Sequence, residues 1–347
     1  LFDCTMVDPY KGQEDIIKWT IRTVGEAKDR FNEDALRIIR AVRFATDLNF
    51  AIATETEEAI RLHMKLLEHI SKERIRDEFS KLLMTKNPMI GIEMCRRLGI
   101  LEYMVPELLK AVGIEQNQAH AYHVWEHLLR SLQHAADKGW PLDIRLSALF
   151  HDISKPETRR FSHETKQFTF YGHEVVGARV TRKIMERLHF PAILTEKVVK
   201  LVRWHMFFSD TEQITLSAVR RMVANVGKEH IWDLMNVRIC DRFGTGRPKA
   251  DPYRLRKYHA MIEEAMRDPI SVGMLKIDGK KIMEVTRETP SPRIGLILHA
   301  LLEEVLEDTK KNTEEFLVKR ALELSKIPPN DLKTLGEAGK DKKEEED

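Results

Sequence analysis

At 347 residues the chain is long enough for two or three helical units, and its composition, 42% hydrophobic and 32% charged, suits a globular protein built from long amphipathic helices. The net charge of +2 excludes a global field that attracts nucleic acid, so any RNA binding must use local basic patches. Three separated cysteines exclude a disulfide framework or a zinc finger, and no apolar run approaches the ~20 residues that span a bilayer, so we expect a cytoplasmic protein without a membrane partner.

The start of the chain has the pattern of a sheet domain that is ending. Residues 1–24 mix short apolar runs with turn signals at Asp8-Pro9 and Lys11-Gly12. The chain opens on Leu1 rather than on Met. We therefore expect a fragment or processed chain whose residues 1–30 are the remnant of a larger domain.

From about Asn32 the pattern becomes helical and stays so. Asn32 is predicted to cap a helix that runs through Phe44. Apolar positions at 3.6-residue spacing predict further helices over Glu55–Leu67, Lys72–Leu83 and Pro88–Leu98.

The helix predicted from Asn32 carries a run of charged residues, namely Glu33, Asp34, Arg37, Arg40 and Arg43. Helical spacing predicts that Arg37 shares a face with both acids. Such a row of carboxylates and guanidinium groups can read a base edge or hold a triphosphate. The spacing alone favours the other interpretation, a surface helix with ion pairs between neighbouring turns.

A second helical block, from about His120 to Gly246, contains most of the histidines. The pair His151–Asp152 follows an apolar helix and can supply one nitrogen and one oxygen ligand to a metal ion. Further ligands would come from other helices, and the candidates are His127, His173, His205 and Asp241. The alternative, scattered structural histidines, suits those that fit no ligand position, which are His120, His123, His134, His163 and His230.

The order and context of the candidate ligands resemble the HD superfamily of metal-dependent phosphohydrolases, in the segments EHLLRSL, ALFHDISKP, GHEVVGARV, RWH and RICDRFGTG. The resemblance implies that His127, His151, Asp152 and Asp241 hold a divalent metal (Mg, Mn or Ni). It implies that His173 and His205 complete a second metal site or contact a substrate phosphate. It makes His151, Asp152 and Lys155 the candidate catalytic residues for hydrolysis of a phosphate ester.

The segments around the arginine helix resemble bacterial CCA-adding tRNA nucleotidyltransferases and poly(A) polymerases. They are DPYKGQEDI, RFNEDALRIIRAVRFATDLNF, SKERIRDEFSKLL and RRLGILEYMVPEL. The resemblance implies that Glu33, Asp34 and Arg37 select CTP or ATP, with Arg40 and Arg43 in the same nucleotide site. It also implies that Arg74 and Glu78 brace the neck of the enzyme, and that tRNA is the macromolecular partner.

The two resemblances together predict a mainly α, elongated multi-helical protein. Its expected parts are a head remnant (1–30), a neck (31–110), an HD domain (111–250), a helical tRNA-binding body (251–328) and a disordered charged tail (329–347). A loop or linker is predicted at 245–252, where glycine and proline interrupt the helical pattern. Basic residues that can track an RNA backbone are Arg37, Arg40, Arg43, Arg96, Arg97, Lys280, Lys281 and Arg293.

One part of the nucleotidyltransferase pattern is missing. The Gly-Ser loop, the DxD strand and the RRD segment of that family do not occur in this sequence. We therefore expect the C-terminal portion of a CCA- or A-adding enzyme, without the carboxylates that polymerise nucleotides. The alternatives are a stand-alone HD phosphohydrolase acting as a 2′,3′-cyclic phosphodiesterase or phosphatase, and a non-catalytic RNA-binding remnant.

Overall fold

A computed structural model describes residues 7–117, 121–164, 166–207, 214–246 and 252–337. The described residues are mainly helical, which confirms the predicted fold class, and they include two small two-stranded sheets. The chain divides into two compact units, Leu1–Met206 with Asp233–Pro248 and Phe207–Trp232 with Lys249–Asp347. None of the helices described is both long and apolar enough to cross a membrane.

The first unit begins with short elements and continues into longer helices. They are α1 (Gly12–Ile17), β1 (Thr20–Ile21), α2 (Ala27–Glu33), α3 (Leu36–Leu48), β2 (Ala51–Ile52), α4 (Thr54–His63), α5 (Lys72–Leu83), α6 (Pro88–Arg97) and α7 (Leu101–Met104). Strands β1 and β2 pair in parallel, with Thr20 opposite Ala51. Single 3₁₀ segments follow α4 and α7. The predicted helix over Lys72–Leu83 is confirmed, and Ser71 caps it by accepting a hydrogen bond from the Arg74 amide at 3.4 Å.

The helix predicted from Asn32 was wrong in its first turn. Asn32 lies inside α2, which ends at Glu33, and the backbone is extended at Asp34 (φ −154°, ψ 100°). The Oδ1 atom of Asp34 accepts a hydrogen bond from the Leu36 amide at 3.1 Å, and its Oδ2 atom accepts one from Arg74 at 2.8 Å. Because Asp34 makes a local turn and a bond to a residue 40 positions away, the chain bends there and α3 starts only at Leu36.

The middle of the chain supplies the remaining helices of the first unit, one hairpin and one helix of the second unit. These elements are α8 (Val124–Asp137), α9 (Leu142–Phe150), α10 (Lys155–Thr158), β3 (Arg160–Ser162), β4 (Gln167–Thr169), α11 (His173–Arg187), α12 (Ala192–Trp204), α13 (Leu216–Val226) and α14 (Ile231–Gly244). Strands β3 and β4 are antiparallel, with Arg160 opposite Thr169. Helix α13 belongs to the second unit, and α14 belongs to the first from Asp233 onward.

One apolar cluster runs through the first unit. It joins Phe31 of α2 and Phe79 of α5 to Leu128 of α8, Phe150 of α9 and Val202 of α12, and all five side chains are fully buried. Burial of each is worth roughly 1.5–3 kcal/mol relative to exposure. The helices before residue 110 and those after it therefore share a core, which fixes the ends of α8, α9 and α12.

The second unit consists of α13 and the C-terminal helices, which are α15 (Pro252–Arg267), α16 (Gly279–Thr286), α17 (Pro292–Glu307), α18 (Glu314–Leu324) and α19 (Pro329–Glu337). Helix α17 is its centre and packs against α13, α16, α18 and α19.

The predicted disordered tail was wrong for residues 329–337. These residues form α19, which packs against α17 and buries Leu332 completely, so an apolar contact stabilises the segment. Residues 338–347 of the predicted tail, and residues 247–251 of the predicted linker, lie outside the described residues.

Candidate metal centre and neck cleft

The six predicted ligands come from five helices and most stand at helix ends. His127 lies in the first turn of α8, His151 and Asp152 follow α9, His173 opens α11, His205 follows α12, and Asp241 lies near the end of α14. All six are buried, with exposed fractions of 0–5%. The structure therefore brings together every residue that the sequence nominated as a ligand.

The ligand atoms form two groups that share one residue. His127, His151, Asp152 and Asp241 make up the first group, and Asp152, His173 and His205 the second. Within each group the candidate ligand atoms lie within 4.8 Å of one another. We call these groups site 1 and site 2.

The Asp152 carboxylate stands between the two sites with one oxygen toward each. Its Oδ2 atom lies 3.0 Å from Nε2 of His127 and 3.3 Å from Nε2 of His151. Its Oδ1 atom lies 3.1 Å from Nε2 of His173 and 3.6 Å from Nε2 of His205. A single carboxylate can therefore serve as a ligand in both sites.

Asp241 completes site 1 from the opposite side. Its Oδ1 atom lies 3.4 Å from Nε2 of His127 and 3.6 Å from Nε2 of His151, and its other oxygen is paired with Arg238. Burial raises the pKa of the Asp241 carboxyl, but Arg238 and His127 outweigh burial and hold that pKa well below its usual range. Asp241 is thus ionised and available as a ligand, and Arg238 is a member of the site that the sequence did not identify.

The histidine rings are oriented by backbone carbonyls. Nδ1 of His151 lies 2.9 Å from the Ala148 carbonyl oxygen, and Nδ1 of His205 lies 2.6 Å from that of Val202. Nδ1 of His173 likewise lies 2.6 Å from the carbonyl oxygen of Phe170. Since a carbonyl only accepts, each Nδ1 carries a hydrogen and donates it, so Nε2 is the nitrogen of each ring that faces the centre and that can bind a metal ion when it carries no proton.

This arrangement fits a bound cation. Nε2 of His127 and Nε2 of His151 are only 2.9 Å apart, as are those of His173 and His205 at 3.3 Å, so lone pairs would repel without a proton or metal between them. Both oxygens of Asp152 are buried, and by hydrogen-bond geometry neither has a partner among the residues described, although the Lys155 ammonium forms an ion pair with Oδ2 at 2.6 Å. A set of four imidazole nitrogens and two carboxylates is chemically suited to divalent transition metals.

The charged side chains of the centre shift one another's pKa values. Burial lowers the pKa of His151, but the carboxylates of Asp152 and Asp241 outweigh burial and raise that pKa to about 10. Burial raises the pKa of Asp152, whereas Lys155 and His151 hold it well below its usual range. His151 would hold a metal ion through Nε2 only in its deprotonated form, so binding there would release a proton.

Lys155 is the one predicted catalytic residue that is not a ligand. Its Nζ atom lies 2.6 Å from Oδ2 of Asp152 and donates a hydrogen bond to Oε1 of Gln116 at 2.7 Å. The ammonium also lies 5.5 Å from the centre of the Phe170 ring. Gln116 precedes Lys155 by 39 residues, and no local pattern in the sequence identifies it.

Gly244 allows α14 to approach α8 behind site 1. A Cβ atom at this position would lie 2.1 Å from Oγ of Ser131, 2.8 Å from the His127 carbonyl oxygen and 2.9 Å from Nδ1 of His127. Only a residue without a side chain fits this contact, so Gly244 holds Asp241 and His127 within ligand distance of a common point.

The predicted nucleotide residues separate into two groups. Arg37 and Arg40 line a cleft of about 430 Å³, together with Arg22, Arg30 and Phe44. Oε2 of Glu33 accepts a hydrogen bond from Arg37 at 2.7 Å and so holds that guanidinium at the cleft. Arg22, Arg30 and Phe44 line the cleft as well and were not predicted from the sequence.

Arg43 lies elsewhere, in an ion pair with Glu78. Its Nε atom donates to Oε2 of Glu78 at 2.7 Å, and its guanidinium lies 4.2 Å from the centre of the Phe44 ring. Burial raises the pKa of Glu78, but Arg43 and Lys81 outweigh burial and lower that pKa. Asp34 likewise pairs with Arg74, so the two residues predicted to brace the neck each contact a charged residue of the predicted nucleotide group.

Two further predicted RNA-contact residues, besides Arg43, are engaged in the fold. Arg293 donates to the carbonyl oxygens of Ser325 and Ile327 beyond α18. Arg96 pairs with Glu93, whose Oε2 atom also accepts from the Trp125 indole at 2.9 Å. These two guanidinium groups hold helix ends and helix faces together.

Similarity to known proteins shows which family the chain belongs to. Residues 124–231 match the family described as "HD domain", and residues 49–112 match the one described as "Probable RNA and SrmB- binding site of polymerase A". The chain is 32% identical over 320 residues to the CC-adding tRNA nucleotidyltransferase of Thermus thermophilus, covering 88% of this chain and 70% of that protein. The chain belongs to the tRNA nucleotidyltransferase family. This confirms the family and the enzyme class that the sequence predicted.

A second nucleotidyltransferase supports the same assignment. The A-adding tRNA nucleotidyltransferase of Deinococcus radiodurans is 31% identical over 308 residues, covering 86% of this chain and 70% of that protein. The crystal structure of the Bacillus stearothermophilus CCA-adding enzyme with CTP matches 92% of this chain and 69% of its own, with a TM-score of 0.66 and 22% identity. The structural match shows that the chain has the fold of the nucleotidyltransferase family.

Proposed function

We propose that this chain supplies the nucleotide-selecting, RNA-binding and HD portions of a tRNA nucleotidyltransferase, and that its HD centre binds two divalent cations and hydrolyses a phosphate ester. The observation that carries the second part is the Asp152 carboxylate, which directs one oxygen to each of two histidine pairs. The burial and orientation of the ligands support cation binding at the HD centre. The arginine-lined cleft supports nucleotide binding by the neck.

The donor set narrows the choice of metal. Each site combines two imidazole nitrogens with carboxylate oxygens, a composition that suits Mn²⁺ or Ni²⁺ better than Mg²⁺, which prefers oxygen ligands. A divalent cation in such a site lowers the pKa of water and neutralises phosphate oxygens. The backbone carbonyls that orient His151, His173 and His205 keep the nitrogens in place before any ligand arrives.

Lys155 supplies the positive charge that a phosphate group meets beside the ligands. Lys155 as a whole is 6% exposed, and its ammonium is held between Asp152 and Gln116. With a cation bound by Asp152, the Lys155 ammonium would be available to pair with an oxygen of the phosphate. We propose a phosphomonoester or a 2′,3′-cyclic phosphodiester as the substrate class at this centre.

Metal stoichiometry tests the two-site proposal. We expect the metal-stripped chain to take up two Mn²⁺ ions by isothermal titration calorimetry, His205→Ala to take up one, and Asp152→Ala to take up none. His69→Ala, which changes an exposed histidine of the first unit, is the control and should keep both. Hydrolysis of a 2′,3′-cyclic nucleotide should require Mn²⁺ or Ni²⁺ and should vanish in Asp152→Ala. Equal rates in wild type and Asp152→Ala would refute a hydrolytic centre.

The neck cleft is proposed to receive CTP or ATP. Arg40 is exposed, and among the described contacts its guanidinium lies 5.9 Å from the centre of the Phe44 ring, so removing it does not disturb the core. We expect Arg40→Ala to weaken CTP binding about 10- to 150-fold, because a charge-assisted hydrogen bond to phosphate is worth about 1.5–3 kcal/mol. Arg61→Ala, which removes an arginine of α4 paired with Glu57, is the matched control. Unchanged CTP affinity in Arg40→Ala would argue against a nucleotide cleft.

The proposed macromolecular partner is tRNA. Of the predicted RNA-contact residues, Lys280 is exposed on α16, whereas Arg293 is held by carbonyl groups. We expect tRNA affinity to fall steeply with salt, with a shallower slope in Lys280→Ala. A salt-independent affinity would refute backbone contacts. If tRNA binds but no phosphate ester is hydrolysed, the chain is the non-catalytic RNA-binding protein instead.

A further inference from the structure

A lysine of α12 joins three helices of the first unit at one point. Nζ of Lys197 lies 2.5 Å from Oδ2 of Asp143 on α9 and 2.6 Å from Oδ2 of Asp233 on α14. The three side chains are only 14–24% exposed. We call this group the lysine tie.

The tie has the same register on all three helices. Each member stands eight residues before a ligand of the metal centre: Asp143 before His151, Lys197 before His205, and Asp233 before Asp241. Eight residues of helix rise about 12 Å in little more than two turns. The tie and the ligands therefore form two layers across the same three helices, one above the other.

The ammonium of Lys197 is charged although it is partly buried. Burial lowers the pKa of Lys197, but its hydrogen bonds to Asp143 and Asp233 outweigh burial and raise that pKa, so the ammonium stays charged. One ammonium neutralises two carboxylates, and its removal would leave the two carboxylates facing each other in a partly desolvated place. Loss of Lys197 therefore drives α9 and α14 apart and leaves α12 without its bond to either.

We infer that Lys197 is a positioning residue. By holding α9, α12 and α14 together, it sets the spacing of the ligands that follow on these helices in both metal sites. This inference rests on the proposed binding of divalent cations at the centre. His151 and Asp241 belong to site 1 and His205 to site 2, so one tie controls the geometry of both. Residues that orient metal ligands from outside the ligand set typically change metal affinity 10–100-fold when removed.

The test measures Mn²⁺ affinity and unfolding temperature of the full chain. We expect Lys197→Met to weaken Mn²⁺ binding about tenfold, and Lys197→Arg, which can still bridge two carboxylates, to stay within about threefold of wild type. The matched control is Arg221→Met in the second unit. It removes another cation held by two carboxylates, at 2.9 Å from Glu303 and 2.6 Å from Glu307, and should leave Mn²⁺ affinity unchanged.

The outcomes separate a positioning role from a merely structural one. If Lys197→Met melts at a lower temperature but binds Mn²⁺ like wild type, the inference is overturned while the proposed metal centre stands. If wild type itself binds Mn²⁺ no better than Asp152→Ala, the proposed function fails and the inference fails with it. Should Lys197→Met not fold, Asp233→Asn replaces it: about threefold weaker Mn²⁺ binding supports the tie, and wild-type affinity overturns it.

Discussion

Substituting Gly244 by alanine tests how closely α14 approaches α8. The added Cβ would meet Oγ of Ser131 at 2.1 Å, and that hydroxyl can rotate away. It would also meet the His127 carbonyl oxygen at 2.8 Å, and the helical backbone of α8 cannot rotate away as a side chain can. The two helices must therefore separate, or His127 must move.

The expected magnitude follows from two opposing effects. Overpacking costs about 1–3 kcal/mol, whereas alanine in place of glycine gains about 0.5–1 kcal/mol in a helix. The net loss is about 0–2.5 kcal/mol, and its middle value of about 1 kcal/mol corresponds to a fall of about 2–4 °C in the melting temperature of a unit of this size. Because His127 is a ligand of site 1, we expect Mn²⁺ affinity to fall about tenfold as well.

The assay combines thermal unfolding with Mn²⁺ titration, and the chain offers a matched control. Gly295 lies inside α17, and a Cβ atom there meets nothing within 4 Å. Gly295→Ala should therefore raise stability by about 0.5–1 kcal/mol and leave Mn²⁺ binding unchanged. If Gly244→Ala were as stable as wild type and bound Mn²⁺ equally well, the close approach of α14 to α8 would be disproved.

Two further predictions concern groups outside the metal centre. Burial raises the pKa of Glu107, but the hydrogen bond and charge of Arg187, a backbone hydrogen bond and the charge of Lys110 together outweigh burial and lower that pKa, so these contacts stabilise the protein above the ordinary pKa of glutamate and the stabilisation is lost as pH falls. Glu107→Gln should melt lower at pH 7 and show a flatter dependence of melting temperature between pH 7 and pH 3; an unchanged slope would contradict this. Arg145 donates to the carbonyl oxygens of Leu83 and Thr85 at 2.7 and 2.8 Å, so Arg145→Met should cost about 2–4 kcal/mol in urea unfolding, and a loss below about 0.5 kcal/mol would contradict it.

The sequence predicted the helices whose signals are local. The bounds of α5 follow from apolar spacing and from Ser71, and Pro88 marks the first turn of α6. The ligands of the metal centre could also be predicted, because each lies in a short recognisable segment and metal binding requires them to converge. What the sequence could not supply was which oxygen of Asp152 faces which histidines.

The features that escaped prediction depend on contacts between distant residues. The bend at Asp34 depends on Arg74, which lies 40 positions later. The lysine tie joins positions 143, 197 and 233, and the partner of Lys155 is Gln116. A helical pattern around each of these residues is ordinary, and only the folded chain shows which charges meet.

The family matches divide this chain at a place where the folded core does not divide. The first family match ends at residue 112 and the second begins at residue 124. Phe79 of α5 and Phe150 of α9 nevertheless belong to one apolar cluster, which includes residues from both sides of that gap. A gene segment cut there would leave apolar faces in water on both pieces, and the piece from 124 to 231 would also lack Asp241. Amide exchange should accordingly protect α5 and α9 as one cooperative unit, because opening either helix exposes the other.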